Sequence, residues 1–239
     1  RLAYGTDPSQ WIELHEPTAK PGQGREPRGS LVVIIHGGFW KAAYDASYTA
    51  VLAADLAARG WTAANIEYRR VGNGGGWPTT FDDVAAAIDL VAQVANADEV
   101  NTLGHSAGGH LAAWAGARTR FERWAGGVPV SSVVSLAGVL DLGSAHAARL
   151  GDDAVQGLMR TEPSDPTYDL ADPTRQLPLE ARLWAVHARD DEDVPFAQSQ
   201  GYVAASSHST LVEVSGGHFG LVDVRHPAWA RVVEVLDAL

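Results

Sequence analysis

Residues 100–110 read Val-Asn-Thr-Leu-Gly-His-Ser-Ala-Gly-Gly-His, and this stretch decides how the rest of the chain is interpreted. An apolar run leads into the pattern Gly-x-Ser-x-Gly at residues 104–108, and an alanine-rich, helix-prone stretch follows it. A serine at such a sharp turn from strand to helix forms a nucleophile elbow. The turn leaves no room for side chains at its flanks, which explains the two glycines. We expect it to hold the hydroxyl of Ser106 at a helix N-terminus, where developing negative charge is stabilised.

Composition and charge narrow the classes to which this chain can belong. The 239 residues are 46% hydrophobic and 20% charged, as in an ordinary globular protein, and we expect one domain over residues 1–239. Because the net charge is −11, neither nucleic acid nor an anionic membrane is an expected partner. With no apolar run of membrane-spanning length and no secretory signal, a cytoplasmic location is expected. The absence of cysteine excludes disulfides, thiolate metal sites and a cysteine nucleophile.

Strand and helix patterns alternate along the chain. This alternation predicts an α/β fold with a doubly wound, mainly parallel sheet and helices on both faces. The β-branched run at residues 31–35 is typical of a strand buried on both faces. Residues 20–30 have the glycine, proline and charge content of an exposed hairpin loop. Residues 139–179 carry several prolines among short helical pieces, so we expect an irregular insertion that supplies a minimal cap.

Groups that act with Ser106 should follow other strands, since chemistry in an open parallel sheet gathers at the carboxyl ends of the strands. Residues 36–40, His-Gly-Gly-Phe-Trp, follow a buried strand directly. Glycines there allow the chain to turn so that backbone N–H groups point into a site. We expect the N–H groups of Gly38, Phe39 and Ala107 to form an oxyanion hole. A glycine turn that merely leaves the strand is the alternative.

Two later loops supply the remaining groups of a serine triad. Residues 187–195 contain four acids, and a carboxylate is needed there to hold a histidine in one tautomer. The residues alone leave Asp191, Asp190 and Asp193 open, although Asp193 is also well placed to cap the next helix. Glycines around His218 free its loop to reach the serine, which makes His218 the predicted general base. The order serine, acid, histidine is the usual one for elbows of this kind.

Three other histidines are interpreted as structural. His36 and His105 lie beside strand ends, where we expect them to form local hydrogen bonds that brace the two loops. His110 follows the elbow and is expected to pack. No pair of histidines combines metal-site spacing with carboxylates, so no metal is expected.

In combination, these motifs resemble those of the α/β-hydrolase superfamily, and within it the small lidless carboxylesterases and kynurenine formamidases. The pattern His-Gly-Gly-x-Trp is matched by residues 36–40, Gly-His-Ser-Ala-Gly-Gly-His by residues 104–110, His-x-x-x-Asp-x-x-Val-Pro by residues 187–195, and Gly-His-Phe by residues 217–219. The resemblance implies the α/β-hydrolase fold and a catalytic triad of Ser106, Asp191 and His218. It therefore selects Asp191 among the acids.

The sequence is compatible with three functions. A carboxylesterase and a dedicated kynurenine formamidase share all the motifs, and Phe39, Trp40 and Trp77 would suit an aryl substrate, with Trp40 as the predicted substrate-binding residue. A non-catalytic ligand-binding protein on the same scaffold is disfavoured, because such receptors usually lose the serine or the histidine. We expect a small-molecule ester or formamide as the partner, and no cofactor. A homodimer is an open option for the assembly state.

Overall fold

A β-sheet of eight strands runs through the computed structural model, which describes residues 1–17 and 31–239. The predicted hairpin loop at residues 20–30 lies outside these residues. The strands are β1 (Leu2–Ala3), β2 (Trp11–His15), β3 (Leu31–Ile35), β4 (Thr62–Ile66), β5 (Val100–His105), β6 (Val130–Leu136), β7 (Arg182–Ala188) and β8 (Ser209–Val214).

Seven α-helices lie in the same described part of the chain. They are α1 (Ala50–Ala58), α2 (Thr79–Ala95), α3 (Ala107–Ala115), α4 (Leu142–Ala147), α5 (Leu150–Met159), α6 (Ala197–Ala205) and α7 (Pro227–Asp237). Short 3-10 helices accompany them at Ala46–Thr49, Arg118–Arg120, Glu122–Trp124, Pro166–Leu170, Pro173–Gln176 and Gly220–Val222. Among the helices that the structure describes, none combines the length and the apolar character that a membrane crossing requires.

The sheet has the strand order β1-β2-β4-β3-β5-β6-β7-β8. Every neighbouring pair from β4 to β8 in this order is parallel, whereas β2 pairs antiparallel with both β1 and β4. The register places Leu103 of β5 opposite Ile34 on one side and opposite Val134 on the other. The predicted doubly wound, mainly parallel sheet is therefore confirmed.

Strand β3 shows why helices cover both faces of the sheet. Successive side chains of a strand point to opposite faces, and all five residues of β3 are buried. Val33 belongs to an apolar cluster that includes Ile88 of α2. Its neighbour Val32 belongs to a second cluster, with Leu52 of α1 and Val232 of α7. Burial of each such side chain stabilises the fold by about 1.5–3 kcal/mol, so both helical layers are needed.

The insertion over residues 139–179 consists of α4, α5 and two 3-10 helices, in keeping with the short helical pieces expected there. Asp141 caps α4, because its carboxylate accepts a hydrogen bond from the Ser144 N–H at 2.8 Å. Leu158 and Tyr168 are fully buried in the main apolar cluster. The insertion is thus packed into the core of the molecule and does not lie loosely on its surface.

Candidate active site

Ser106 lies at a sharp turn between β5 and α3. Its backbone has φ 57° and ψ −120°, a conformation that non-glycine residues rarely adopt. Holding it there costs about 1–3 kcal/mol, so the surrounding structure must fix it. The Ser106 N–H donates to the carbonyl oxygen of Leu136 at 2.8 Å, and the Ser106 carbonyl accepts from the His110 N–H at 3.2 Å. The structure therefore has the strand, turn and helix that the motif predicts.

Two glycines of the motif allow close contact between the helix and the strands. A Cβ atom at Gly104 would lie 2.0 Å from the carbonyl oxygen of Gly108, and one at Gly108 would lie 2.0 Å from that of Ile35. Neither position can hold a side chain without moving backbone. The glycines thus let α3 start directly against β5 and β3, which places Ser106 at the edge of the sheet.

His218 and Asp191 lie in the loops after β8 and β7, and a short hydrogen bond joins them. His218 Nδ1 donates to Asp191 Oδ2 at 2.7 Å, and both side chains are buried. Because this bond uses Nδ1, Nε2 is the ring nitrogen that remains to receive a proton. His218 lines the same pocket as Ser106. In the described part of the chain, no hydrogen bond joins the Ser106 hydroxyl to His218. Such contacts are often long in unliganded sites and shorten when substrate binds.

The carboxylate of Asp191 is held by several donors. Its Oδ1 accepts from the N–H groups of Asp193 at 2.9 Å and Val194 at 2.8 Å, and its Oδ2 also lies 3.3 Å from His187 Nε2. Burial alone would raise the pKa of Asp191, but the hydrogen bonds from His187 and His218 outweigh it and hold that pKa well below its usual range. Asp191 is therefore ionised wherever the protein is folded near neutral pH.

The two other candidate acids have different surroundings. The exposed carboxylate of Asp190 lies 3.2 Å from the Gly216 N–H, in the loop that carries His218. Asp193 is exposed and lines the pocket. It does not cap α6, whose N-cap position is Phe196. Of the three acids left open by the sequence, the structure joins Asp191 to His218.

Two carboxylates and a histidine are also a donor set that can bind a cation. Asp191, Asp193 and His218 each place one potential ligand atom within 4.8 Å of the others. However, both oxygens of Asp191 already accept hydrogen bonds, and His218 Nδ1 is occupied by Asp191. The existing contacts are those of a carboxylate that orients a histidine.

The loop after β3, residues 36–40, is called the oxyanion loop for the role expected of it, and it holds three consecutive residues in left-handed backbone. Gly38, Phe39 and Trp40 have φ values of 101°, 52° and 54°. Successive N–H groups in a turn can form a concave set of donors that binds an anion. Gly38 and Phe39 line the pocket beside Ser106, and Ala107 is the first residue of α3. Within residues 1–17 and 31–239, the N–H groups of Gly38, Phe39 and Ala107 donate no hydrogen bond, so all three are free to bind an oxyanion.

The structure does not bring Trp40, the predicted substrate-binding residue, to the pocket. Only 1% of its surface is exposed, and its indole Nε1 donates to His110 Nδ1 at 3.2 Å. His110 Nε2 in turn donates to the carbonyl oxygen of Ala171 at 2.9 Å. Burial lowers the pKa of His110 to about 4, which keeps this link neutral. Trp40 therefore anchors the oxyanion loop to α3, and the packing predicted for His110 is confirmed.

Four of the nine described residues that line the pocket are aromatic. The cavity beside Ser106 has a volume of about 260 Å³. Tyr44 and Phe219 stand at its rim with 50% and 63% of their surface exposed. The lining aromatic residues are Phe39, Tyr44, Tyr48 and Phe219. The sequence interpretation missed the last three, because single aromatic residues in loops carry no pattern that marks them as lining a pocket.

The insertion contacts the oxyanion loop at Gly151. Lys41 Nζ donates to the Gly151 carbonyl oxygen at 2.7 Å. A Cβ atom at Gly151 would lie 2.4 Å from the Phe39 ring, so the ring packs directly on the glycine backbone. Gly151 also lies among residues with positive φ, which include Asp152 and Asp153. The shape of the oxyanion loop is therefore linked to that of the insertion.

A buried ionic group supports the start of the same loop. His36 Nδ1 donates to the Gly37 carbonyl oxygen at 2.8 Å, and its Nε2 lies 3.3 Å from Arg70 Nη1. Arg70 is paired with Glu67, and both are almost fully buried. Glu67 Oε2 also accepts from the Ala46 N–H at 2.9 Å. The bracing role predicted for His36 is thus confirmed.

One family model and one curated relative match the chain. The BD-FAE model matches residues 19–205. Esterase LipC of Mycobacterium tuberculosis is 29% identical over 149 residues, which are 59% of this chain and 35% of that protein. The match therefore spans about a third of the relative's length.

Several solved structures have a similar fold. A truncated carbohydrate esterase from gut microbiota has a TM-score of 0.77 at 22% identity, over 99% of this chain and 94% of that one. Esterase B from Lactobacillus rhamnosis has a TM-score of 0.78 at 20% identity, over 98% and 82%. Esterase Est2 from Thermogutta terrifontis, with propionate bound, has a TM-score of 0.71 at 21% identity, over 95% and 87%. At these identities the likeness concerns the fold.

Proposed function

The chain belongs to the BD-FAE family and has the α/β-hydrolase fold, and on that premise we propose that it is a serine hydrolase that cleaves carboxylic esters. The resemblance to α/β-hydrolases of the esterase type is confirmed by the family match and by the esterase relatives. One observation carries the proposal for this chain. The strained serine Ser106 lines one pocket together with His218, and the His218 ring is hydrogen-bonded to Asp191.

In the proposed first step, Ser106 Oγ attacks the ester carbonyl carbon while its proton passes to Nε2 of His218. Asp191 holds the ring in the tautomer that leaves Nε2 free, and it stabilises the imidazolium that forms. The tetrahedral oxyanion accepts hydrogen bonds from the N–H groups of Gly38, Phe39 and Ala107. Each such donor typically lowers the barrier by about 2.7–4 kcal/mol.

The following steps use the same groups in reverse. His218 returns the proton to the leaving alcohol, and the carbon–oxygen bond breaks to give an acyl-enzyme on Ser106. Water then attacks the acyl carbon and gives a proton to His218. Collapse of the second tetrahedral intermediate releases the acid, and the proton returns to the serine oxygen.

The pocket supports a small substrate group. Its volume of about 260 Å³ lies below the usual range for ligand sites, about 300–1,000 Å³. We therefore propose a short acyl group as the part of the ester that enters beside Ser106. Aromatic walls favour an aryl leaving group, and this observation keeps kynurenine formamidase as the second candidate function. A purely ligand-binding role is disfavoured because Ser106 and His218 both remain at the pocket.

Rates on p-nitrophenyl acetate, p-nitrophenyl octanoate and N-formylkynurenine test the proposal, with Ser106→Ala as the matched control. We expect the acetate to be preferred over the octanoate in kcat/KM, and Ser106→Ala to lose at least about 10⁴-fold. Far-UV circular dichroism should show that the variant is folded.

The other outcomes are equally informative. Faster turnover of N-formylkynurenine by orders of magnitude would make the protein a formamidase. If the unmodified protein and Ser106→Ala are equally inert on all three compounds, the serine-hydrolase proposal is wrong.

A further inference from the structure

We propose that Tyr48 and His105 are positioning residues that join three parts of the site into one hydrogen-bonded unit. The three parts are the oxyanion loop, the turn that carries Ser106 and the loop that carries His218. This inference rests on the proposed serine-hydrolase function. Neither residue belongs to the triad or to the oxyanion hole.

A continuous chain of hydrogen bonds links these parts. The Tyr48 hydroxyl accepts from the Gly37 N–H at 2.5 Å and lies 3.1 Å from His105 Nδ1. His105 Nε2 lies 3.0 Å from the carbonyl oxygen of His218. His105 directly precedes Ser106 in the elbow. His105 therefore holds the loop of His218, and Tyr48 holds the loop of Gly37.

The chemistry of the partners fixes the direction of every bond in this chain. A carbonyl oxygen only accepts, so His105 Nε2 must carry a hydrogen and donate it to the His218 carbonyl. In a neutral imidazole the other nitrogen is then an acceptor, and Nδ1 of His105 receives the Tyr48 hydroxyl hydrogen. The Tyr48 oxygen keeps a lone pair for the Gly37 N–H. As long as the His105 ring is neutral, no other arrangement satisfies all three contacts.

Burial keeps the unit neutral. His105 is 3% exposed, and burial, followed by the proximity of His218, lowers the pKa of His105 to about 3. Burial also raises the pKa of Tyr48 well above its usual value. The titratable groups that face His105 are Tyr48, His218, Asp191 and His187.

Neutrality matters because acyl transfer creates a positive charge next to His105. The ring centroids of His105 and His218 are 4.5 Å apart. A cationic His105 would oppose the imidazolium that forms on His218. A neutral His105 supports the loop of His218 through its carbonyl and adds no charge beside the ring.

The Tyr48 end of the hydrogen-bonded unit lies close to Ser106, at Gly37. A Cβ atom at Gly37 would be 2.9 Å from Ser106 Cβ and 3.1 Å from the Tyr48 hydroxyl. Gly37 precedes Gly38, whose N–H is an expected oxyanion donor. The Tyr48 hydroxyl therefore holds the peptide that leads into the oxyanion hole. Loss of this contact should impair the transition state more than substrate binding, because the aromatic ring itself still lines the pocket.

Kinetics of three single variants and one double variant test the inference. Tyr48→Phe removes only the hydroxyl, and we expect kcat to fall about tenfold with KM within about twofold. His105→Leu should lower kcat by about a hundredfold. His105→Gln is its matched control, since its amide keeps a donor for the His218 carbonyl, and it should stay within about tenfold of the unmodified protein. Because both changes break one chain, the double variant Tyr48→Phe with His105→Leu should lose less than the product of the single losses.

Nitrogen-15 NMR of the histidine rings provides a readout that does not depend on activity. We expect His105 to be neutral, with its hydrogen on Nε2, at every pH between 5 and 8. A hydrogen on Nδ1, or a cationic ring in this range, would overturn the inference.

The kinetic outcomes separate the two proposals. If the unmodified protein is inert on every ester, the serine-hydrolase function fails, and the NMR result alone decides whether the hydrogen-bonded unit exists. If the unmodified protein is active and both Tyr48→Phe and His105→Leu keep its full kcat, the positioning role is wrong. Should circular dichroism show that His105→Leu is unfolded, Tyr48→Phe decides the question.

Discussion

The loop after β7 and the insertion over residues 139–179 each bury a carboxylate, and they shift its pKa in opposite directions. The pKa of Asp191 in the loop lies well below its usual range, whereas burial raises the pKa of Asp172 in the insertion from 3.8 to about 6. Both accept backbone hydrogen bonds. Those of Asp172 come from the N–H groups of Gly143 at 3.3 Å and Thr174 at 3.1 Å.

The difference lies in the side chains around each carboxylate. Asp191 faces two imidazole rings, whereas Asp172 faces the carboxylate of Asp141 and has the Arg175 guanidinium only at 3.9 Å. A buried acid is therefore not by itself the mark of an active site. What distinguishes Asp191 is a set of donors that keeps its charge in place despite burial.

The largest expected effect comes from removing the charge of Asp191, with Asp172 as the comparison. Asp191→Asn should lower kcat/KM by about 10⁴-fold, because an amide no longer holds the productive tautomer of His218. Asp172→Asn should leave kcat/KM within about twofold. Steady-state rates of both variants on p-nitrophenyl acetate measure the contrast, and equal losses would show that the two carboxylates do not differ in role.

A smaller effect is expected from removing one donor to Asp191. His187 is fully buried, and its Nε2 lies 3.1 Å from the Val194 carbonyl oxygen as well as near Asp191. His187→Leu should lower kcat/KM about tenfold, while His187→Gln, which keeps a donor, should lose less. If the leucine variant is folded and fully active, the His218 contact alone is sufficient to orient Asp191.

A third expected effect concerns stability rather than turnover, and it depends on pH. Because folding raises the pKa of Asp172, the native state binds the proton more tightly than the unfolded state between pH 3.8 and about 6. The free energy of unfolding therefore falls as the pH rises through this range, by at most about 3 kcal/mol. Asp172→Asn should abolish this fall.

Urea unfolding at pH 4, 5, 6 and 7 measures the difference between the two proteins. The lowered pKa of Asp191 acts below this range, where its stabilising contribution is lost as the pH falls, so it does not obscure the result. Parallel stability curves for Asp172→Asn and the unmodified protein would contradict the prediction.

The loops around the site could be predicted because each depends on a backbone geometry that requires particular residue types at particular positions. Gly104 and Gly108 are required where any Cβ would collide with backbone. The β-branched run of β3 has the bounds predicted for it, Leu31–Ile35, because a strand buried on both faces needs continuous apolar residues. The meeting of strand ends at one edge predicts an acid beside His218, but only the resemblance to known hydrolases selected Asp191, which the structure joins to His218.

Other features depend on long-range packing, which gives no recognisable pattern in the local sequence. Trp40 and Tyr44 are both aromatic residues near the oxyanion loop, yet Trp40 is buried against His110 while Tyr44 is half exposed at the pocket rim. Strand β1 has only two residues, too few for any periodicity. Asp152 and Asp153 in the insertion have left-handed backbone although neither of them is a glycine.

The contact between Gly151 and Phe39 has a consequence for recombination and engineering of this protein. Because the backbone of the insertion supports the ring of an oxyanion-loop residue, residues 139–179 do not form an exchangeable module. Under the proposed mechanism, a graft chosen to admit a different substrate would also alter the alignment of the Phe39 N–H, so turnover would change together with selectivity. Successful redesign of this segment therefore has to vary positions 39, 41 and 151 as a set.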